Sequence, residues 1–214
     1  HRPGALLGGV AGGEEEFLSA SSGPLADSLT MTFGDPTEFA IEAYHEPSGP
    51  PWGGFGRMCL HVQGMVLGDI RENHCSLFHA TDRIREVAAD VESLWDESFT
   101  GLSDMEVFGL INREIYTDEG PENEQRFRAC DFLTGTGEVF DDSKTFILFR
   151  RPDPMHILYC LRDDTLGSVS CGATTFRRVA DAYVSWFDEQ VRTTAPPFFP
   201  INPLDLSEEV PEGW

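Results

Sequence analysis

The sequence predicts an α+β fold in which a mostly antiparallel sheet of about five to seven strands packs against three helices. Several short segments alternate apolar and polar residues and are separated by turn residues, which is typical of strands. Three longer segments carry apolar residues at helical spacing. Hydrophobic residues make up 40% of the 214 residues and aromatic residues 11%, enough to build a core. The strands form a meander that two helices interrupt and a third closes, which favours the α+β class.

The strand predictions follow from this alternation. Residues 38–44 and 57–62 are predicted as strands, and Gln63-Gly64 is the turn that leads into a third strand over 65–67. The second half of the chain contributes further predicted strands at 127–133, 145–150, 155–162 and 169–171. The two strands on either side of residues 151–154 are expected to pair as a β-hairpin.

The three helices are predicted from apolar stripes. The first spans residues 81–97, with a stripe that includes Ile84, Val87, Val91 and Leu94. The second begins at Ser103-Asp-Met-Glu106, a capping-box pattern. The third is predicted over residues 175–191.

Composition divides the chain into three parts. Residues 1–30 are rich in Gly, Ser, Ala and Pro and are expected to form a flexible N-terminal extension or leader, with Met31 as the functional start. Residues 31–194 are expected to form a single α+β domain. Residues 195–214 form a proline-rich, acidic C-terminal tail in which no helix is expected.

The charge is strongly negative. There are 37 acidic residues against 15 basic ones, of which Lys144 alone is a lysine, so the formal net charge is −22. Such a chain is repelled by nucleic-acid phosphates and by anionic membrane surfaces, so neither is an expected partner. A cation or a basic protein surface is expected instead. The alternative is that the acidity serves solubility only.

The cysteines indicate a reducing compartment. There are five, an odd number at wide spacing, and they form no Cys-x-x-Cys pair, so we expect free thiols. The sequence has no apolar stretch of about 18–20 residues and no convincing signal peptide. A cytoplasmic location is therefore expected.

Nearly half of the net charge lies between residues 82 and 124. This segment contains thirteen acidic residues and three arginines, which gives it a net charge of −10. The segment is either a solvated face or a docking surface for a basic cleft. Trp52, in a loop rich in proline and glycine, is a candidate aromatic anchor for such docking, although it could equally pack back on the sheet. The acidic candidates for partner contact are Glu86, Asp90, Glu92, Asp96, Glu97, Asp104, Glu106, Asp118, Glu119, Glu122 and Glu124.

Catalytic and metal-binding signals are weak. The sequence contains neither a Gly-x-Ser-x-Gly elbow nor a phosphate-binding glycine loop, and its many carboxylates reduce the weight of any single pair. Cys59 and His61 share one face of a predicted strand, and His74, Cys75 and His79 follow, but no pair has the short spacing of a zinc site. We therefore expect no enzyme activity, no cofactor and no metal. A small enzyme or metal-dependent protein that uses Cys59, His61 and His74 is the alternative.

Two segments resemble a known family. They are Met31-Thr-Phe-Gly-Asp-Pro-Thr-Glu-Phe-Ala-Ile-Glu42 and Trp52-Gly-Gly-Phe-Gly-Arg-Met-Cys-Leu-His-Val-Gln-Gly64, the latter continuing to Leu67-Gly-Asp69. These two segments are similar to sequences of the immunity protein 42 family of bacterial polymorphic toxin systems. The resemblance extends over about residues 31–191 and is strongest over 31–69. It implies a stoichiometric toxin inhibitor and brings no catalytic residues with it.

The sequence thus leads to one main hypothesis. The protein binds a cognate toxin domain in the cytoplasm and obstructs its active site through the acidic segment. A nuclease toxin fits best, because its substrate cleft must be positive. When free, the protein is expected to be a monomer or a weak dimer. A secretion adaptor or chaperone is a further alternative that the sequence does not separate from immunity.

Overall fold

The described residues form two antiparallel sheets, three α-helices and several short 3₁₀-helices. The computed structural model of the protein describes residues 30–46, 54–71, 75–116, 126–137, 140, 143–150 and 153–194. The predicted α+β class is confirmed. The strands, however, divide between a five-stranded sheet, here sheet A, and a three-stranded sheet, sheet B, instead of forming one sheet.

Sheet A is formed by the first half of the chain. The strand order is β1-β2-β3-β4. Strand β5 pairs with the beginning of β3, at Phe55 and Gly56, whereas β4 pairs with its end. Every pairing is antiparallel, and the β3–β4 turn lies at the predicted Gln63-Gly64, where both residues have positive φ. The strands are β1 (Met31–Asp35), β2 (Phe39–His45), β3 (Phe55–Val62), β4 (Met65–Leu67) and β5 (Cys75–Ser76).

Sheet B has the order β6-β7-β8, with β6 at Lys144–Phe149, β7 at Met155–Cys160 and β8 at Leu166–Cys171. The predicted hairpin of β6 and β7 is confirmed, since Ile147 pairs with Ile157 in an antiparallel register.

The helices are α1 (Leu77–Ala89), α2 (Asp104–Tyr116) and α3 (Ala173–Thr194). The predicted capping box is present at the start of α2, because Glu106 accepts a hydrogen bond from the Ser103 backbone N–H at 2.8 Å. The Ser103 hydroxyl accepts the Glu106 N–H in return at 3.4 Å. No helix in the described part of the chain has the length and apolarity needed to cross a bilayer.

The larger core joins both sheets to α1 and α3. Alternation in β2 and β3 points one set of side chains, such as Ile41 and Leu60, into this core, where they are fully buried. Helix α3 contributes Tyr183 from its apolar stripe, and sheet B adds Ile147 and Ile157. The same alternation turns the other residues of β2 and β3 toward the opposite face of sheet A.

A second core lies on the other face of sheet B, against α2. Phe146 and Leu148 of β6 pack there with Phe108 and Ile111 of the helix, and the rings of Phe108 and Phe146 are 5.0 Å apart. Strand β6 is therefore buried on both faces from Phe146 to Phe149. This explains why these four residues are all apolar instead of alternating with polar ones.

The predicted strand over 127–133 is wrong. The segment contains a 3₁₀-helix at Arg128–Cys130 and a single isolated bridge from Asp131 to Phe146. Phe127 and Cys130 are buried in the second core, whereas Phe132 is buried in the larger one. The apolar run thus passes between two cores, and a 3₁₀ turn places residues three apart on the same side.

The first helix was predicted at 81–97, but α1 ends at Ala89. Asp90 caps it with φ −140°, and two 3₁₀-helices follow at Val91–Leu94 and Glu97–Phe99. Val91 and Leu94 are buried all the same. Their three-residue spacing fits a 3₁₀-helix as well as an α-helix, so the apolar stripe could not show where the helix stops.

Candidate functional site

Three exposed members of the predicted acidic surface lie just after α1. Asp90, Glu92 and Glu97 are exposed. Of the five acidic residues expected in the first helix, Glu86 does lie inside α1. The expectation is wrong for Asp90, Glu92, Asp96 and Glu97, which lie at the caps and in the 3₁₀-helices that follow. Three exposed carboxylates within eight residues form a negative patch, here called the post-α1 patch.

Asp96 lies between these residues but is held by internal contacts. Its oxygens accept Arg126 Nε at 3.0 Å and Nη2 at 2.6 Å, and Oδ1 also accepts the Ser98 N–H at 2.9 Å. The hydrogen bond from Arg126 is the main cause that lowers the pKa of Asp96 to about 2. Asp96 therefore caps the second 3₁₀-helix and attaches it to residue 126, so its main role is structural.

Asp104 is also part of an internal network. Arg150 contacts it at 2.9 Å and His156 at 3.2 Å. The Arg150 guanidinium also lies over the Trp95 ring, 5.8 Å from its centroid, and donates to the Leu102 carbonyl. Asp104 thus ties the start of α2 to sheet B.

Two further candidates combine exposure with a local contact. Glu106 is exposed, and the hydrogen bonds from Ser103 that form the capping box lower its pKa. The Glu86 side chain is 67% exposed and pairs with Arg83 at 2.7 Å. Arg83 in turn donates to the backbone carbonyls of Asp131, Arg128 and Ala129, so α1 is bound to the segment before β6.

Glu86 and Arg83 border a groove of about 300 Å³. Its walls carry both charges and neutral polar groups, including Arg128, Asp131 and Thr134. Because the charges are mixed, the groove does not extend the acidic surface.

The remaining predicted contacts, Trp52, Asp118, Glu119, Glu122 and Glu124, lie outside the described residues, as does His74.

A second group of functional side chains lies on the face of sheet A that points away from the larger core. Cys59 and His61 of β3 share this face, as the sequence predicts, and Glu42 of β2 joins them because it pairs with Cys59 in the β2–β3 register. His61 Nε2 is 2.7 Å from Glu42 Oε2, and Cys59 Sγ is 3.5 Å from His61 Nε2 and 3.6 Å from Glu42 Oε2. Sequence reasoning missed Glu42, since only the strand register brings it to the other two.

Burial and then the Glu42 carboxylate raise the pKa of the Cys59 thiol to about 12. Cys59 is 1% exposed, whereas the side chains of His61 and Glu42 are 18% and 24% exposed. The group is thus a buried thiol beneath two partly accessible ligands.

The other predicted ligands make different contacts. Cys75 is buried, and its thiol donates to the Thr136 carbonyl at 3.8 Å. His79 is exposed and bonds the Ser76 hydroxyl at 3.2 Å. In the parts of the chain that the structure describes, Glu42, Cys59 and His61 are the group whose ligand atoms converge.

The three side chains do not form a nucleophilic relay. In such a relay one ring nitrogen of the histidine takes the nucleophile's proton while the other bonds the carboxylate. Here Cys59 and Glu42 both approach the same nitrogen, Nε2 of His61. A thiol with a raised pKa is also a poor nucleophile at neutral pH.

The fold and its charge thus define a strongly acidic α+β protein built from two antiparallel sheets. A family model described as Immunity protein 42 matches residues 31–186, and the chain belongs to that family. Membership implies a protein that binds and neutralises a toxin, and it implies a non-enzymatic role.

A solved structure shares the fold. CdiI from Burkholderia dolosa AUO158 superimposes with a TM-score of 0.56 at 15% sequence identity, over 73% of this chain and 99% of that chain. No curated protein sequence matches the chain.

Proposed function

We propose that this immunity protein neutralises its cognate toxin domain by covering the active site with the acidic surface that includes the post-α1 patch. The observation that carries the proposal is the exposure of Asp90, Glu92 and Glu97 on a family member whose net charge is −22. A basic cleft on the toxin is the complementary surface.

The carboxylates around the patch divide into two roles. Asp96 and Asp104 hold the 3₁₀ segment and the start of α2 in place through Arg126 and Arg150. Asp90 and Glu97 are exposed beside these anchored residues. A rigid, pre-organised surface loses less entropy on binding than a mobile one, so these internal ion pairs favour recognition indirectly.

The expected toxin is a nuclease, because an enzyme that binds phosphates needs a positive substrate cleft. An acidic protein surface competes for such a cleft by the same electrostatics. Charge complementarity of this kind mainly speeds association and selects the partner, whereas packed apolar contacts supply much of the affinity.

The proposal is tested by titrating the toxin domain with the full chain while toxin activity and complex formation are recorded together. Inhibition that is complete at one equivalent, and weaker at high substrate concentration, supports obstruction of the active site. A stable complex in which the toxin stays active would instead indicate an adaptor or chaperone. Inhibition that substrate does not relieve would place the contact away from the catalytic cleft.

A further inference from the structure

We infer that Glu42, Cys59 and His61 form a binding site for one zinc ion or a similar thiophilic divalent cation on the outer face of sheet A. The inference does not depend on the proposed toxin contact, because none of these residues belongs to the acidic segment. It rests on the way three different ligand atoms converge on one point.

The distances match one face of a coordination tetrahedron. A zinc ion with bonds of about 2.0–2.3 Å to oxygen, nitrogen and sulfur holds tetrahedral ligand atoms about 3.3–3.6 Å apart. The sulfur of Cys59 lies 3.5 Å from His61 Nε2 and 3.6 Å from Glu42 Oε2, which already fits. The nitrogen and oxygen are 2.7 Å apart, so they must separate by about 0.6 Å, which a glutamate side chain achieves by rotation.

The paired strands determine where all three ligands start from the sheet. Cys59 and His61 are two residues apart in β3 and therefore point to the same face, while the register places Glu42 directly opposite Cys59. Thr32 of β1 is paired with Glu42 on the other side, so the glutamate lies within the sheet and not on its edge. The site is thus built on three paired strands, the kind of rigid support that a metal site requires.

The donor set selects the metal. A thiolate with an imidazole favours zinc and related ions, whereas magnesium and calcium prefer oxygen ligands. Three protein ligands leave a fourth position for a water molecule.

Binding replaces protons that the three groups share. Glu42 Oε2 accepts from both the His61 ring and the Cys59 thiol. On binding, the thiol proton passes to solvent and the sulfur coordinates as a thiolate. The histidine keeps one proton but carries it on Nδ1, so that Nε2 coordinates the ion, and no oxidation or reduction takes place.

The test uses the full-length protein with Zn²⁺ and Co²⁺. Competition against a chromophoric chelator gives the stoichiometry and affinity for Zn²⁺, and Co²⁺ absorption reports thiolate ligation through its sulfur-to-metal charge-transfer band. We expect one ion per chain and a charge-transfer band. Cys59→Ser should abolish the band, and Glu42→Gln or His61→Gln should weaken Zn²⁺ binding on the order of 100-fold, at least as much as the loss of an outer-shell partner.

Controls separate this site from general binding to an acidic protein. Cys160→Ser removes a partly exposed thiol elsewhere, and His79→Gln removes an exposed imidazole, so both should leave binding and the band unchanged. If Cys59→Ser disturbs folding by circular dichroism, the partly exposed Glu42 and His61 variants decide the question. Lack of stoichiometric binding, or binding that none of the three substitutions weakens, would overturn the inference.

Discussion

Reversing charge in the post-α1 patch should slow association with the toxin domain more than the same change elsewhere. The variant is Asp90→Lys with Glu97→Lys, and the matched control is Asp181→Lys with Glu189→Lys on α3. All four residues are exposed, and both variants change the net charge from −22 to −18. A difference between them therefore reports position and not total charge.

The magnitude follows from screened electrostatics. Two unit charges about 10 Å apart in water at physiological salt interact by roughly 0.12 kcal/mol. Four units of charge change against three cations on the toxin then amount to about 1.4 kcal/mol, or about tenfold in the association rate. The control carries the same charge change on α3, outside the proposed contact, and should slow association less than the patch variant does.

Stopped-flow or surface-based kinetics between about 50 and 500 mM salt measures both the rate and its salt dependence. The wild type should lose association rate steeply with salt, and the patch variant should do so less steeply. Equal slowing of the two variants would show that only net charge matters. Unchanged kinetics in the patch variant would refute the acidic-surface contact while leaving immunity itself intact.

Three further predictions concern stability and are read out by chemical denaturation. Asp96→Asn should lower the denaturation midpoint at pH 7. Because pairing with Arg126 lowers the folded-state pKa of Asp96 to about 2, this difference should fade as pH falls from about 4 toward 2; a pH-independent difference would contradict the ion-pair account. Tyr183→Phe leaves the buried hydroxyl of Thr81 without the acceptor it bonds at 2.9 Å, and should destabilise by about 1–3 kcal/mol; an unchanged free energy of unfolding would mean that the hydrogen bond contributes nothing. Phe146→Ala opens a cavity in the second core and should cost about 3–5 kcal/mol, and a loss below about 1 kcal/mol would show that α2 and sheet B are not tightly packed.

The elements that the sequence predicted well are those whose pattern is local. Alternation in residues 38–44 and 57–62 located β2 and β3, and the Ser103–Glu106 capping box located the start of α2. Strand β1 was missed because its residues are mostly exposed, with Phe33 as its one apolar anchor against Tyr183 and Trp186. A five-residue strand with one anchoring side chain has no alternation to detect.

The sequence-based predictions that failed concern residues whose contacts are made with residues distant in the chain. Asp96 looked like an available surface charge, but its partner Arg126 lies thirty residues later. Glu42 was missed because its pairing with Cys59 depends on the β2–β3 register, which the alternation within each strand does not reveal. The same limit applies to 127–133, whose apolar residues serve two different cores. Local patterns carry no information about such tertiary choices.

The central claim, neutralisation by direct binding, is tested most directly by co-expression with the cognate toxin domain. Growth and co-purification are scored in the same cells, and a toxin domain from an unrelated system serves as the control. The account predicts restored growth together with a one-to-one complex that forms with the cognate toxin alone. Restored growth without a complex would contradict direct binding and indicate repair of the damage, and failure to restore growth would contradict the immunity function itself.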